Sequence, residues 1–232
     1  VPVFALHRLN AFSGAAAASA PSSAGRPPAA PLASAALATL AAAAALPAAQ
    51  CAVAGGSDAG RDEAIVAAVL VAKERLRSWR APSDEELHRQ GLSELQIRVA
   101  RHDGTEPAFR NKYWDNHEAG IYVDSVSGEP LYASTDKFDS CTGWPSFVRA
   151  LPGTELRANT DYNMGFARTE MRSPIANSHL GHIFPDGPKD RGGMRHCANS
   201  ASLRFVPVDE MDAEGFGDLR RALFPNHKRP EL

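Results

Sequence analysis

Acid is missing from the start of this chain: between Val1 and Ser57 there is no Asp or Glu, and only Arg8, Arg26 and His7 bring basic groups. Cysteine is scarce throughout, with Cys51, Cys141 and Cys197 the only three in 232 residues. Three thiols exclude both a disulfide framework and a four-thiolate zinc site. A nucleophilic or redox role for one or two of them stays open. A basic excess is also lacking, since 25 Lys and Arg face 27 Asp and Glu for a formal charge of −2. Nucleic acid and anionic membrane surfaces are therefore not expected partners, because both need clustered cations to pair with phosphates. Nor is there a long hydrophobic run. The stretch from Leu32 to Leu46 is weakly apolar and shorter than the ~20 residues a transmembrane helix needs.

What fills residues 1–57 instead is alanine, serine and proline. Such a composition has too little bulky apolar surface to offset the entropy of ordering it, so the segment is expected to be disordered. Acid-poor, Ser-rich, Arg-containing leaders are the signature of organelle import. Residues up to Pro31 read as a transit peptide, and Leu32 to Leu46 as a second, secretory-like segment followed by small residues suited to cleavage. The expected address is a plastid, with the thylakoid lumen as a destination inside it. A mitochondrion or a bacterial envelope is the alternative.

Beyond the leader, Ile65, Val66, Val69, Leu70, Lys73 and Leu76 recur at helical spacing between Asp62 and Trp79. This predicts one amphipathic helix, for core packing or as a mere spacer, and residues 58–85 are read as a helical spacer. Ser83-Asp84-Glu85-Glu86 forms a capping box ahead of Leu87 and predicts a second short helix. After Arg101 the texture changes to short β-type runs. Gly120-Ile-Tyr-Val-Asp124 and Pro130-Leu-Tyr-Ala-Ser134 flank a Ser-Gly-Glu turn, a hairpin pattern. His179 to Phe184 ends at Pro185-Asp-Gly-Pro188, and Ala201 to Val208 alternates as a half-buried strand does. About seven or eight strands follow from such patterns, and with them a mainly β domain built of antiparallel sheets.

Three features carry chemistry. In the run Arg195-His-Cys-Ala-Asn199, strand alternation places Arg195, Cys197 and Asn199 on one face. A cationic neighbour favours thiolate, the nucleophilic form, and Asn199 is suited to orienting a substrate oxygen. The alternative is a buried structural cysteine. His179-Leu-Gly-His182 offers proton donors, yet residues three apart in a regular strand face opposite sides. A bulge at Gly181 would turn both histidines together; otherwise one is catalytic and the other structural. Metal binding by His179, His182 and a cysteine is a further reading without a fourth protein ligand. Trp144, on the turn Gly143-Trp144-Pro145, is a candidate apolar wall for a small methyl group, or an ordinary core aromatic.

Taken in order, Gly104-Thr-Glu-Pro107, Ser127-Gly-Glu-Pro-Leu131, Lys137-Phe-Asp-Ser140, Gly143-Trp-Pro-Ser-Phe147, Arg168-Thr-Glu170, Ser178-His-Leu-Gly-His182 and Cys197-Ala-Asn-Ser-Ala-Ser-Leu-Arg-Phe205 resemble the B-type methionine sulfoxide reductases. The similarity runs over residues 86–211, leaving 212–232 as a C-terminal tail. The resemblance implies two antiparallel sheets in a tent-like arrangement. It also implies reduction of methionine-R-sulfoxide, in proteins or peptides, by Cys197 through a sulfenic acid. His182, His179 and Asn199 then occupy the polar positions of the site, Trp144 holds the substrate methyl, and thioredoxin or glutaredoxin restores the thiol.

Two departures from that family stand out. Where many members have two Cys-x-x-Cys pairs for a structural zinc, this chain has Asp124 with Ser127 and Ser173 with Ala176. No cofactor and no zinc are therefore expected. Where the commonest resolving cysteine lies, directly before Gly-Trp-Pro, this chain has Thr142, and Cys141 is one residue earlier. Cys141 is a possible resolving residue, but one residue of shift reverses side-chain direction. Direct reduction of the sulfenic acid is the other route. A thiol peroxidase and a metal-binding β module are the competing readings.

Overall fold

The computed structural model describes residues 58–162, 165 and 167–227, so the leader and its expected disorder lie outside the described residues. Helix α1 spans Asp58–Glu74 and presents Ile65, Ala68, Val69 and Ala72 on one buried stripe. The spacing i, i+3, i+4, i+7 is that of a core-facing helix. The stripe packs with Ile121, Val123, Ala133 and Val206 and with Phe216, Leu219 and Leu223. The last two belong to α4 (Gly217–Leu223). These contacts correct two expectations. The first helix is a core element rather than a spacer, and the described part of the C-terminal segment is a packed helix rather than a tail. Periodicity shows that a helix has an apolar face, but not what that face meets.

The capping box forms as predicted. Ser83 Oγ accepts from the Glu86 amide at 3.2 Å, and Glu86 Oε2 accepts from the Ser83 amide at 2.7 Å, opening α2 (Asp84–Arg89). A third helix, α3 (Glu94–Arg101), was not predicted, although Ser93 and Gln96 make the same reciprocal cap. Leu87, Ile97, Ala100 and Val126 close a small cluster beneath these two helices.

The rest is antiparallel sheet. Strands β1 (Gly120–Asp124), β2 (Pro130–Ala133) and β9 (Leu203–Pro207) form a three-stranded sheet in the order β2-β1-β9. The predicted hairpin is its first two strands. A six-stranded sheet takes β3 (Lys137–Phe138), β4 (Ser146–Phe147), β5 (Arg157–Asp161), β6 (Arg168–Arg172), β7 (His179–Phe184) and β8 (Arg195–Ala198). Its order is β3-β4-β8-β7-β6-β5. The fold is thus mainly β with two antiparallel sheets and few helices, as expected.

An aromatic core joins the sheets. Tyr132 of the first stacks on Phe147 of the second at 4.2 Å between centroids and donates its hydroxyl to Met171 Sδ at 3.2 Å. Leu131, Leu180, Ala198 and Leu203 complete the cluster. Ala198 faces this core and His196 meets the Tyr132 ring edge-on, so the residue between them, Cys197, faces outward from the six-stranded sheet.

Candidate active site

The outer face of the large sheet carries a continuous row of polar side chains. Ser146, Cys197, His182, Glu170 and Asn159 stand opposite one another across β4, β8, β7, β6 and β5. Directly opposed residues in antiparallel strands share a face with Cβ atoms ~5 Å apart. Cys197 therefore has Ser146 on one side and His182 on the other.

The histidine problem resolves through a bulge. Met171 pairs with Gly181, whereas Arg172 pairs with His179, so Leu180 is an extra residue on β7. That residue turns into the core, and His179 and His182 come to one side with ring centroids 5.5 Å apart. Gly181 has a φ of +143°, and a Cβ there would sit 2.1 Å from the Cys197 carbonyl oxygen. Only glycine fits.

Each histidine rests on a carboxylate. His179 Nδ1 is 2.6 Å from Glu170 Oε1, and His182 Nε2 is 2.7 Å from Asp161 Oδ2. A carboxylate only accepts, so these nitrogens carry the protons. The two rings thus turn opposite nitrogens to their carboxylates, so that His179 keeps Nε2 and His182 keeps Nδ1 on the far side of the ring. Burial alone would raise the Glu170 carboxyl, but the bond to His179 and the Arg172 charge outweigh it and hold it below the ordinary range. Burial lowers His182, against the opposing pull of Asp161. His182 is accordingly a neutral imidazole at pH 7.

Around Cys197 the strand alternation read from sequence holds. Burial pushes its thiol up; the Arg195 charge and hydrogen bonds from Thr142, Arg195 and Ser146 pull it back. Arg195 is itself fixed by a two-pronged contact with Asp186, Nε to Oδ1 at 2.8 Å and an η nitrogen to Oδ2 at 2.9 Å. Its guanidinium lies 4.5 Å from the centroid of Phe184. The Thr142 and Ser146 hydroxyls are linked through Ser140, each 2.8 Å from Ser140 Oγ. Thr142 thus faces Cys197. Cys141 has a φ of +57° and an exposed side chain.

Trp144 and Asn199 are both held by Glu106. The indole Nε1 donates to the Glu106 carbonyl at 3.1 Å, and the Glu106 amide donates to Asn199 Oδ1 at 3.2 Å. Asn199 Nδ2 reaches the Leu180 carbonyl at 3.3 Å. Asn199 is buried and tied to backbone at both ends of its amide. The Glu106 carboxylate accepts from the Ser200 and Ala201 amides, fixing the turn that follows β8. Burial raises this carboxyl in spite of those bonds.

Of the residues singled out from sequence, the structure brings Cys197, His182 and His179 to one face and ties Asn199 and Trp144 to the Glu106 backbone; Asp161, Glu170, Asp186, Ser146 and Glu106, which hold them, were not singled out. Glu170 and Glu106 lay inside the quoted motifs; pairing Glu170 with His179 required the strand register, and Glu106 reaches its partners from the loop after α3. The metal reading of His179, His182 and Cys197 is not supported. Among the described residues, only Asp103, Glu170 and His179 bring three potential ligand atoms together. There the Arg172 guanidinium, 2.7 Å from Asp103 and 2.6 Å from Glu170, supplies the positive charge.

Residues 92–207 match the model of the SelR domain family. A peptide methionine sulfoxide reductase MsrB of Staphylococcus saprophyticus is 49% identical over 132 residues, 57% of this chain and 93% of its own length. A peptide methionine sulfoxide reductase MsrA/MsrB of Vibrio cholerae is 52% identical over 143 residues, 62% of this chain. The chain spans only 37% of that second protein's length. With the thiol, the two histidines and the Gly-Trp-Pro turn all inside the matched stretch, the chain belongs to the SelR domain family, that of the B-type peptide methionine sulfoxide reductases.

Proposed function

We propose that this protein reduces methionine-R-sulfoxide in oxidised proteins or peptides, with Cys197 as nucleophile and His182 moving the proton. The observation that carries the reading is the register of β7 on β8, which sets His182 directly opposite Cys197 on the open face of the sheet. Neutral His182 takes the thiol proton on Nδ1 while its Nε2–H stays bound to Asp161. The thiolate, held by Arg195, attacks the sulfoxide sulfur. The imidazolium returns the proton to the sulfoxide oxygen, the S–O oxygen passes to Cys197, and methionine leaves a cysteine sulfenic acid. Trp144, locked through its indole N–H, forms the wall for the substrate methyl.

Recycling follows as attack of an external thiol, of the thioredoxin or glutaredoxin kind, on the Cys197 sulfenic acid. Thr142 rather than Cys141 faces Cys197, which favours direct reduction over an internal Cys141–Cys197 disulfide. The plastid address rests on the composition of residues 1–57 and is tested by fusing them to a fluorescent reporter. The central test is an epimer-resolved assay with and without dithiothreitol. Turnover of the R epimer alone is expected, and Cys197→Ser should abolish it. Retained activity in that variant, or preference for peroxide as substrate, would overturn the assignment.

A further inference from the structure

The turn after β1 and the loop before β7 meet at two carboxyl groups that no water reaches. Asp124 and Glu129 are both 0% exposed. Asp124 Oδ1 accepts from the Val126 amide at 2.7 Å and the Ser127 amide at 2.9 Å, within its own turn. Glu129 Oε1 crosses to the other loop and accepts from the Ile175 and Ala176 amides at 2.8 and 3.1 Å. Ser127 Oγ adds a third donor to it at 3.3 Å. The second oxygen of each group, Asp124 Oδ2 and Glu129 Oε2, is buried without a well-formed hydrogen bond, and among the described residues the Ser173 and Ser178 hydroxyls are the only side-chain donors besides the turn that act on Asp124.

Two ionised carboxylates in this setting would leave two uncompensated charges in a dry interior, which strongly disfavours the doubly ionised form. Among the described residues no cationic side chain acts on either of them. The groups acting on Asp124 are Ser127, Ser173, Val126 and Ser178, and those on Glu129 are Ala176, Asp124, Ile175 and Ser127. Apart from the pair itself, none is charged. A zinc ion does not fit either. Asp124, Ser127, Ser173 and Ala176 offer one carboxylate, two hydroxyls and a methyl group, whereas structural zinc takes thiolates and imidazoles.

We propose that Asp124 and Glu129 form a buried carboxyl pair that retains one proton at neutral pH and so fastens the 124–129 turn to the 173–178 loop without a metal. Glu129 is the member that holds it. Burial raises both carboxyls, and the charge on Asp124 raises Glu129 further. The protonated acid is also a donor, which the orphaned oxygens lack. The fastening lies directly behind the site. Ser178 precedes His179, Ser202 Oγ donates to the His179 carbonyl at 2.6 Å, and the Ser125 amide donates to the Ser202 carbonyl at 3.0 Å.

The sign of the pH dependence follows. A carboxyl whose folded-state value is raised adds stability at low pH, and that stability is lost as pH rises through the folded value. Thermal unfolding of the full chain between about pH 5 and about pH 8 reads this directly. Measured against Glu129→Gln, the wild-type midpoint should fall with rising pH, because buried His182 and His196 add the same opposite slope to both proteins. Glu129→Gln, a neutral isostere of the protonated acid, should flatten that fall, and Glu129→Ala should lower the midpoint at every pH. In parallel, infrared spectra at neutral pH should show a protonated-carboxyl C=O band that weakens in Glu129→Gln. Should that variant fail to fold, absence of the band from the wild type still refutes the proposal. An unchanged pH slope in a folded Glu129→Gln, or stoichiometric metal in the purified protein, would also overturn it.

Discussion

His182 stands directly across the β7–β8 ladder from Cys197, and its far nitrogen is bound to Asp161. Asp161 also takes the Arg168 guanidinium, so the imidazole is anchored to a carboxylate that is itself anchored. Asp161→Asn would let the ring adopt the other tautomer and would weaken the imidazolium formed in turnover. General acid–base groups contribute roughly 10²–10⁴-fold, so His182→Asn should cost that range in kcat and Asp161→Asn a part of it. Alkylation of Cys197 by iodoacetamide should change far less in both variants, which separates proton transfer from damage to the nucleophile.

Arg195 acts on the ionisation of Cys197, the proposed nucleophile. Burial raises the Cys197 thiol, and the Arg195 charge is the largest influence opposing it. Arg195→Ala should therefore move the rising limb of kcat/KM against pH further to alkaline. At pH 7 alkylation should slow, and it should recover as the pH is raised. Asp186→Asn should shift the profile the other way or not at all, because it removes a negative charge while freeing the guanidinium. An alkaline shift for both variants would show that placement of Arg195, rather than its charge, controls the thiol.

Much of the fold was legible because local rules sufficed: the hairpin at 120–134 carries its own turn, and the Ser83 cap its own hydrogen bonds. The packing of α1 and α4 was not, since nothing within either helix says that Ile65 and Leu223 share one core. The site divides in the same way. Cys197 and Arg195 sit on one face because strands alternate, and Gly181 announced its bulge. Asp161 and Glu170 meet their histidines only through the pairing of β5, β6 and β7, which no local spacing encodes.

Helix α1 lies outside the matched SelR stretch yet contributes Ile65 and Val69, 2% and 0% exposed, to the core against α4. Truncating a buried Ile to Ala costs about 2–5 kcal/mol. Ile65→Ala should lower the unfolding free energy by that amount in urea titrations, with little change in kcat once folded. Removing residues 58–74 should destabilise the protein more than any single substitution in them; an intact midpoint would restore the spacer reading.

Thr142 occupies the place from which a side chain touches Cys197, whereas Cys141 sits on a left-handed backbone with its side chain exposed. Thr142→Cys should therefore create an internal resolver. After one turnover without reductant, peptide mapping should find a 142–197 disulfide in the variant and a Cys197 sulfenic acid in the wild type. A Cys141–Cys197 bond in the wild type would mean that the 140–142 loop rearranges during turnover, and direct reduction would then be wrong.

Gly181 offers the sharpest test of the bulge that brings the histidines together. An alanine there meets the Cys197 carbonyl at 2.1 Å and carries a φ that L-residues rarely adopt. Relief requires β7 to part from β8 at the residue pair that sets His182 opposite Cys197. Gly181→Ala should cost well over ~1 kcal/mol in stability, because the native backbone is incompatible with the new side chain. In the fraction that folds, kcat should drop with His182→Asn as its floor, while Cys197, still beside Arg195, should keep its alkylation rate. A folded Gly181→Ala with wild-type turnover would show that the His179–His182 pairing is not what the reaction needs.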